Sequence, residues 1–403
     1  MVKNKKVKKI VLAYSGGLDT SVILPWLKDK YGCEVVAFVA DLGQGAGELA
    51  GIKQKARASG ASKCVVADLR KEFAEQYCFK LLKAGAVYEH VYLLGTAIAR
   101  PLIAKAQVDC AKSEKADAVA HGATGKGNDQ VRFELTYMAL APKLKIIAPW
   151  KDPAFGLTSR QAAVKYAKAK GIRLAQTKKK IYSRDRNLWH VSHEGADLEN
   201  LANEPKDALW MMSVPVSKSP NKPAYVQIDF KKGIPVALDG VRLAGHELIM
   251  RLNAVGGKHA VGQTDLVENR LVGIKSRGAY ETPGGTILFA AHQAMESITL
   301  DRDTMHYKQS VAMKYAEMVY NGRWFCPLRE AMDAFIDSTQ RNVTGAVRVK
   351  CFKGQATPAG MSSPKSMYSG SLASFTMGAD YTPSDATGFI KLFGLQMRGR
   401  GKA

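Results

Sequence analysis

Hydrophobic and polar positions alternate in two distinct ways over the first 170 residues of the chain. Short runs rich in β-branched residues indicate buried parallel strands, and longer amphipathic segments between them indicate helices. The predicted strands are Val7 to Tyr14, Glu34 to Ala40, Lys63 to Ala67, Asp117 to Ala120 and Lys145 to Ala148. The predicted helices are Thr20 to Lys30, Lys71 to Lys83, Arg100 to Ser113, Asp129 to Leu140 and Thr158 to Lys170. This order predicts an open α/β sheet that binds its ligands at the carboxyl ends of the strands.

The pattern changes after about residue 175. A charged, proline-containing stretch precedes a predicted β-hairpin with strands Tyr225 to Phe230 and Ile234 to Leu238. The later predicted elements are helices near His246 to Val255, Thr286 to Tyr320 (with a break near Asp301 to Asp303) and Leu328 to Gln340, and a strand at Ala346 to Phe352. We therefore predict an N-terminal α/β domain at 1–172, a second α+β domain at 173–360 and a C-terminal helical arm at 361–403.

Composition and charge narrow the class of protein. The chain has 403 residues, of which 46% are hydrophobic and 24% charged, and this excludes a disordered or low-complexity protein. Its 59 Lys and Arg residues against 36 Asp and Glu residues give a formal net charge of +23. A positive charge of this size favours an anionic ligand or partner, which could be a nucleotide, an acidic metabolite, a nucleic acid or a membrane surface. The charge alone does not distinguish among these. The six cysteines contain no Cys-x-x-Cys pair, so we expect reduced thiols and a cytoplasmic protein.

One segment, Ile10 to Leu27, follows five lysines and has to be distinguished from a targeting or membrane-spanning segment. Asp19 lies at its centre, and Gly16, Gly17 and Pro25 interrupt it. Because a charge at the centre of a membrane helix is costly, we expect neither a signal peptide nor a membrane partner.

The first candidate site lies where the first strand meets the first helix, at Ser15-Gly16-Gly17-Leu18-Asp19-Thr20-Ser21. The glycines allow a sharp turn and a close approach to a ligand, and the following helix presents free N–H groups and the positive end of its dipole. These features predict an anion-binding loop, although the spacing is not that of a Walker motif. Asp19 fits among phosphates only if a divalent cation or a buried donor pairs with it. The alternative is an ordinary turn in which Asp19 or Thr20 caps the helix.

A second loop of the same kind is predicted after the fourth strand, from His121 to Arg132. Its three glycines, with hydroxyl and amide side chains beside them, predict a second polar cradle on the same edge of the sheet. Asp129 and Arg132 lie three residues apart and hence on one helical face. The alternatives are a surface ion pair for these two residues and, for His121, a turn histidine with partners inside the protein.

Together the two loops resemble those of the argininosuccinate synthases, a family of the PP-loop ATP pyrophosphatase group. The resemblance is carried first by Ala13 to Ser21 and by Gly122 to Glu134. It continues through most of the chain, in Tyr92 to Thr96, Ala99 to Pro101, Ile147 to Trp150, Val267 to Arg270, Lys275 to Gly278, Tyr280 to Pro283 and Thr382 to Phe389. The first motif alone indicates only the wider group, whereas the whole set is specific to the synthases.

The resemblance implies a fold and a reaction. The fold is a PP-loop nucleotide-binding domain with a second α+β synthetase domain and a C-terminal helical arm, in a homotetramer. The reaction joins L-citrulline to L-aspartate in arginine biosynthesis and the urea cycle. It passes through a citrullyl-adenylate and converts ATP, with Mg²⁺, to AMP and pyrophosphate.

The resemblance also implies the site residues. ATP is expected at Ala13, Tyr14, Ser15, Gly16, Gly17, Leu18, Asp19, Thr20, Ser21, Ala40, His121, Gly122, Gly125, Lys126 and Asn128. Aspartate is expected at Thr124, Asn128 and Asp129. Citrulline is expected at Tyr92, Asn128, Arg132, Ser183, Ser192, Glu268 and Tyr280. Asp19, Asp129 and Arg132 are the expected catalytic residues, and no metal ligands are assigned.

One departure from the family pattern and two alternative functions accompany this interpretation. Many members have Ser at the position of Ala97, so one hydrogen bond to citrulline is either missing here or made by Thr96 or the backbone. Another PP-loop adenylating enzyme, for instance one that modifies tRNA, would suit the basic charge, but the second-domain matches and the missing cysteine motif disfavour it. A nucleic-acid-binding protein is disfavoured because lysine runs such as Lys178 to Lys180 lack interleaved aromatics.

The C-terminal arm predicts a final helix that starts at Ser384 or Asp385. Its broad apolar surface consists of Phe389, Ile390, Leu392, Phe393, Leu395 and Met397. A helix this short is not stable alone in water, so it packs either on its own second domain or on a neighbouring subunit. The flexible composition of the preceding loop and the exchanged C-terminal helices of the family favour the neighbour.

Overall fold

The computed structural model describes residues 6–125, 127–157, 160–172, 182–375 and 381–400. The strands of its first sheet are β1 Lys9–Ala13, β2 Glu34–Asp41, β3 Lys63–Asp68, β4 Ala118–Ala120 and β5 Lys145–Ile147. All neighbours pair in parallel, in the order β3-β2-β1-β4-β5. The predicted open parallel sheet is confirmed, and every predicted strand end lies within two residues of the observed one.

The helices of this region include two that were not predicted, and differ from the predicted ones in two further places. They are α1 Leu18–Tyr31, α2 Ala46–Leu49, α3 Ile52–Ala58, α4 Arg70–Glu72, α5 Phe79–Ala84, α6 Gly95–Ser113, α7 Asp129–Leu140 and α8 Arg160–Ala169. The two that were not predicted are α2 and α3. A π-helical turn at Phe73–Cys78 joins α4 to α5, and α6 begins at Gly95 rather than at Arg100. The bounds of α7 are those predicted, whereas Thr158, the predicted start of α8, lies outside the described residues.

Alternate residues of the parallel strands point to opposite faces, and helices cover both faces. Ile10 and Leu12 of β1 belong to a core shared with α1, α3 and α8. Val11 and Val36 belong to a second core shared with α6 and α7. The result is a three-layer sandwich in which the loops at the carboxyl edge of the sheet remain accessible.

Two antiparallel sheets follow. Their strands are β6 Ser183–Arg186, β7 Val191–Glu194, β8 Ala224–Lys231, β9 Ile234–Leu238, β10 Val241–Arg242, β11 Gln263–Asn269, β12 Lys275–Glu281, β13 Gly345–Phe352 and β14 Gln355–Ser362. The strand orders are β10-β9-β8-β13-β14 and β11-β12-β7-β6. The predicted hairpin is confirmed as β8 and β9, whereas the four-stranded sheet was not predicted.

The remaining helices are α9 Gly245–Lys258, α10 Pro283–Thr299, α11 Arg302–Tyr320, α12 Pro327–Thr339, α13 Gly370–Ala373, α14 Asp385–Phe393 and α15 Leu395–Arg400. The predicted break between α10 and α11 is confirmed. It is produced by Asp301, whose carboxylate accepts a hydrogen bond from the N–H of Thr304 at 2.9 Å and caps α11. None of the helices within the described ranges is long and apolar enough to cross a membrane.

The segment Phe73–Ala84, which comprises the π-helical turn and α5, connects the parallel-sheet region to the second region, which contains the two antiparallel sheets. It lies between β3 and β4 in the chain. It shares a core with α9, α10 and α11. Tyr77 stacks on Trp324 with ring centroids 4.5 Å apart, and Lys80 Nζ lies 2.8 Å from Asp333 Oδ2. The parallel sheet and the second region therefore share buried apolar surface, which stabilises their relative position.

The apolar surface of the C-terminal arm lies in solvent in the single chain. Gly394 separates α14 from α15, so the predicted final helix is divided in two. The apolar side chains are 57% to 76% exposed, namely Phe389, Ile390, Leu392, Phe393, Leu395 and Met397. The alternative in which this surface packs on its own second domain is therefore wrong.

Gln107 of α6 forms hydrogen bonds to both central strands, β1 and β4, below the candidate site. Its buried side-chain amide donates to the carbonyls of Val11 at 2.8 Å and Ala120 at 2.9 Å, and its oxygen accepts from the hydroxyl of Tyr137. Both carbonyls lie close to the ends of β1 and β4, where the ligand-binding loops begin. A buried carbonyl without a donor is costly, so this amide stabilises the place where the strands separate.

We predict that Gln107→Leu lowers the free energy of unfolding by about 2 kcal/mol, because three buried hydrogen bonds are lost and the buried Tyr137 hydroxyl loses its acceptor. Urea titration followed by circular dichroism measures the loss. The control is Gln161→Leu on the solvent-exposed side of α8, for which we expect a change within about 0.5 kcal/mol. Equal stability of the two variants would contradict the role given to Gln107.

Candidate active site

Two loops lie side by side at the carboxyl edge of the parallel sheet. One follows β1, the other follows β4, and these two strands are neighbours in the sheet. A Cβ atom placed on Gly122 of the second loop would lie 3.1 Å from Thr20 Cγ2 of the first. The strand order reverses between β1 and β4, which is where ligands bind in open α/β sheets. The predicted position of the second loop, on the same edge of the sheet as the first, is confirmed, and its role in ligand binding stays a prediction.

The first loop uses backbone positions that require glycine. Gly16 has φ +71°, and a Cβ atom there would lie 2.3 Å from Ile52 Cδ1 of α3. Gly17 occupies the N-cap of α1 and donates its N–H to Ser15 Oγ at 3.2 Å. Asp19 is exposed as the second residue of α1. The alternative in which Asp19 or Thr20 caps the helix is therefore wrong, since Gly17 holds that position.

Other residues predicted to bind ATP form hydrogen bonds within and below this loop. Tyr14 is buried, and its hydroxyl lies 3.1 Å from the buried Ser21 hydroxyl. Ser15 Oγ and Thr20 Oγ1 lie 3.2 Å apart at the more open side of the loop. Ala13 ends β1 and Ala40 is the second-last residue of the neighbouring strand β2, and both are half-buried.

Internal hydrogen bonds hold the second loop. The N–H of Ala123 donates to His121 Nδ1 at 3.2 Å, so Nε2 carries the proton and donates to Glu134 at 3.1 Å. This bond, with Lys151, lowers the pKa of Glu134. His121 is fully buried and both its ring nitrogens have partners within the protein, whereas its placement at the nucleotide stays a prediction. Gln130 donates to the carbonyls of Gly125 at 2.7 Å and Gly127 at 3.2 Å.

Thr124 and Gly125 are exposed at the tip of this loop, and Lys126 lies outside the described residues. Asn128 precedes α7 and is 7% exposed. Its side-chain oxygen accepts the N–H of Leu271 at 3.0 Å, from the turn between β11 and β12. The second region of the chain therefore closes directly over the loop.

A network of charges begins at Asp129. Arg132 Nη1 donates to its Oδ1 at 3.0 Å, and Arg100 Nε donates to its Oδ2 at 2.9 Å. Arg100 Nη2 also lies 2.5 Å from Asp185 Oδ2 of β6. Burial would raise the pKa of Asp129, but the two guanidinium groups outweigh it and lower that pKa. Arg132 is buried and donates twice more, to the Tyr320 carbonyl at 3.0 and 3.1 Å.

One face of the four-stranded sheet carries four of the seven predicted citrulline residues. Tyr280 of β12 lies opposite Ser192 of β7. Side chains two or four residues apart on a strand point to the same face of the sheet. Glu268 lies four residues from Thr264, the partner of Tyr280, and therefore shares its face. Ser183 lies two residues from Asp185, the partner of Ser192, and shares that face too. Ser192 and Glu268 are buried, whereas Ser183 at the start of β6 is exposed. The Ser192 hydroxyl accepts the N–H of Asp185 at 3.2 Å.

Tyr280 connects this face to the parallel-sheet region. Its ring lies along β12 because Gly278 has no side chain; a Cβ atom there would lie 2.6 Å from the Tyr280 hydroxyl. This hydroxyl donates to Glu268 Oε1 at 2.9 Å, and the ring lies 4.5 Å from that of Tyr92. Burial, and then Glu268, raise the pKa of Tyr280 well above its ordinary value, so the phenol stays a donor. Tyr92, Tyr280 and Glu268 thus meet where the two regions face each other, and this junction is the candidate cleft.

Known proteins match this chain over almost its whole length. The family model described as the arginosuccinate synthase N-terminal HUP domain matches residues 9–173, and the C-terminal domain model of the same family matches residues 182–399. The argininosuccinate synthase of Pelotomaculum thermopropionicum is 59% identical over 97% of both chains. The chain belongs to the argininosuccinate synthase family.

A second relative is similar over most of this chain, whereas a solved structure is only weakly similar. The chloroplastic argininosuccinate synthase of Arabidopsis thaliana is 57% identical over 98% of this chain and 79% of its own. The solved U34-tRNA thiolase NcsA from Methanococcus maripaludis is 15% identical over 44% of this chain and 62% of its own, with a TM-score of 0.29, too low to carry an argument. As a member of the argininosuccinate synthase family the protein is an ATP-using ligase of arginine biosynthesis, and the expected PP-loop type of fold is confirmed.

Sequence reasoning missed three residues of the cleft: Arg100, Asp185 and Tyr320. Arg100 lies in the segment Ala99 to Pro101, which resembles the family, but no role was assigned to it. Its place at the start of a predicted helix, within such a segment, could have indicated a role in the site. Asp185 lies in a charged stretch without strand periodicity. Tyr320 ends a helix far along the chain, and no local pattern connects it to the loops. Within the described ranges, no group of three or more His, Cys, Asp or Glu side chains is arranged to hold a metal ion.

We predict that Arg100→Met lowers the free energy of unfolding at neutral pH by about 2 kcal/mol, because Asp129 and Asp185 lose their common partner in a partly buried site. The pKa of Asp129 is lowered in the folded protein from an ordinary value of 3.8. The stabilisation is therefore present above that value and is lost as the pH falls through the folded pKa.

The difference between wild type and Arg100→Met should accordingly shrink as the pH falls from about 5 to about 3. Unfolding titrations across this range measure it, with Arg251→Met on the exposed surface of α9 as the control. A difference that does not change with pH would show that Arg100 stabilises the fold by packing alone.

Proposed function

We propose that this protein joins L-citrulline to L-aspartate through a citrullyl-adenylate, releasing AMP and pyrophosphate. One observation carries the proposal. Arg132 and Glu268, a cation and an anion, contact the same residue, Tyr320, beside two loops of anion-binding type. Arg132 suits the α-carboxylate of an amino acid and Glu268 suits its α-ammonium group. A zwitterionic substrate would thus be held next to a phosphate site.

ATP is assigned to the edge of the parallel sheet, on the residues from Ala13 to Ser21, on Ala40 and on the loop from His121 to Asn128. The N–H groups at the start of α1 can hold the β- and γ-phosphates as a unit. Mg²⁺ commonly binds through substrate phosphates and one or two carboxylates. The exposed Asp19 carboxylate beside the loop fits that role, in which the ion would neutralise charge on the phosphates.

The two amino acids are assigned to the facing surfaces of the cleft. Aspartate is placed at Thr124, Asn128 and Asp129, where the loop tip is exposed. Citrulline is placed at Tyr92, Asn128, Arg132, Ser183, Ser192, Glu268 and Tyr280. The hydroxyl of Thr96, which could replace the Ser that many members have at Ala97, lies 2.9 Å from His190 Nε2 and so already has one partner.

The chemistry explains why these residues bind and orient rather than react. The ureido carbon is a poor electrophile, so its oxygen first attacks the α-phosphorus of ATP and expels pyrophosphate. The aspartate amine then attacks the ureido carbon, the C–O bond breaks, and AMP leaves while the amine loses a proton. No protein nucleophile is needed, and catalysis comes from positioning and charge stabilisation.

We also propose a cytoplasmic homotetramer in which the C-terminal arm, at 361–403, packs on a neighbouring subunit. The exposed apolar surface of α14 and α15 supports this, because helices of nine and six residues are not stable alone in water. The six cysteines are free, as expected for a reducing compartment.

The adenylate mechanism predicts which ATP bond breaks. With citrulline carrying oxygen-18 in its ureido group, the label should appear in the phosphate of AMP, because that oxygen becomes bonded to the α-phosphorus. Mass spectrometry of the nucleotide products measures it. Omission of citrulline should abolish pyrophosphate release, whereas ADP as the main product or AMP without label would contradict the mechanism.

The arm predicts an assembly defect. Deletion of residues 384–403 should lower the mass measured by light scattering from a tetramer to dimers or monomers, while ATP binding by the parallel-sheet region is retained. Replacing Tyr225, an exposed tyrosine of β8, by Ser is the control and should leave the mass unchanged. A truncated chain that remains tetrameric would show that the arm is dispensable for assembly.

A further inference from the structure

Tyr320, the last residue of α11, touches both charged groups that the proposed function assigns to the amino-acid head of citrulline. Its hydroxyl donates to Glu268 Oε2 at 2.7 Å. Its backbone carbonyl accepts two hydrogen bonds from Arg132, at 3.0 and 3.1 Å. The Arg132 guanidinium also lies 5.1 Å from the centre of the Tyr320 ring. One residue therefore links the α7 cation to the β11 anion.

The ring of Tyr320 has little freedom to move. It is 1% exposed and stacks on Tyr88 with centroids 3.7 Å apart and planes 5° apart. Tyr88 is itself held, because its hydroxyl donates to the carbonyl of Asn269 at 2.7 Å. Asn269 directly follows Glu268 in the chain, so the stack returns to the strand that carries the carboxylate. These contacts hold both the ring and its hydroxyl in place.

The carboxylate of Glu268 is oriented by two phenols, one on each oxygen. Tyr280 donates to Oε1 at 2.9 Å and Tyr320 to Oε2 at 2.7 Å. Burial, and then Glu268, raise the pKa of Tyr320 far above its ordinary value, so its hydroxyl remains protonated and donates. No other donor among the described residues is hydrogen-bonded to this carboxylate, so the second lone pair of each oxygen is available to an ammonium group. The two phenols thus leave a binding direction for a cation.

We propose that Tyr320 is a positioning residue that fixes Glu268 relative to Arg132 and thereby selects substrates with an α-amino-acid head. This inference rests on the proposed placement of citrulline. Its consequence is specific to binding, because the reacting ureido group lies three methylene groups away from the charged head. Tyr320 therefore contributes to the affinity for citrulline and little to the chemical step.

The variant that isolates this role is Tyr320→Phe, which removes the hydroxyl and keeps the carbonyl, the ring and the stack on Tyr88. We expect KM for citrulline to rise about tenfold, equivalent to ~1.4 kcal/mol. We expect kcat, and KM for ATP and aspartate, to change less than about twofold. The matched control is Tyr315→Phe, since Tyr315 is a buried tyrosine of the same helix whose hydroxyl donates to Asp333 at 2.8 Å.

A second measurement distinguishes positioning from general loosening. The citrulline analogue 5-ureidopentanoic acid, used as a competitor of citrulline, has the same carboxylate and ureido group but no ammonium group. Its inhibition constant should be the same in wild type and Tyr320→Phe within about twofold, because it makes no bond to Glu268. The inference is overturned if the constant rises as much as KM for citrulline, or if Tyr320→Phe and Tyr315→Phe raise that KM equally.

Two reference variants separate this inference from the proposed function. Glu268→Gln and Arg132→Lys alter the assigned contacts themselves and should both raise KM for citrulline. If they do so and Tyr320→Phe does not, the placement of citrulline stands and the role of Tyr320 is wrong. If neither reference variant affects citrulline, the placement itself is wrong, and the inference falls with it.

Discussion

Asp129 lies between the guanidinium groups of Arg100 and Arg132, and the cleft depends on this arrangement. Through these contacts α7 is joined to α6, to β6 by way of Asp185, and to the end of α11 by way of the Tyr320 carbonyl. Removing charges from water is costly unless each has a close opposite partner. Here every charge has one, so the network can hold the two sheet regions in register while it lines a cleft between them.

The elements nearest the nucleotide loops were predictable because their signals are local. Parallel buried strands have continuous apolar runs, and the bounds of α7 followed from the residues Asp129 to Leu140 alone. Glycines at Gly16 and Gly122 indicated close approach, and the structure places Ile52 and Thr20 against those positions. Once two loops follow neighbouring strands, their meeting at one edge is a consequence of parallel topology.

The citrulline side of the cleft was predictable only through resemblance, because its strands have no local signature. β6 has the sequence Ser-Arg-Asp-Arg, in which no apolar residue alternates with polar ones. Its place in the sheet comes from pairing with β7 and from Arg100, which lies 85 residues earlier in the chain. Tyr320 likewise contacts Arg132 across 188 positions. Contacts of this range depend on tertiary packing, which periodicity does not report.

The charge network also explains how an acidic side chain can sit beside an anion-binding loop. Two guanidinium groups face two carboxylates, those of Asp129 and Asp185, so the network carries little net charge. An uncompensated Asp129 would repel phosphates held by the neighbouring loop, since charges interact strongly at short range in a partly buried site. With its charge neutralised, Asp129 can face the site proposed for aspartate and still lie beside the loop proposed for ATP. Compensation within the protein would therefore allow the proposed ATP and amino-acid sites, whose ligands all carry negatively charged groups, to lie next to each other.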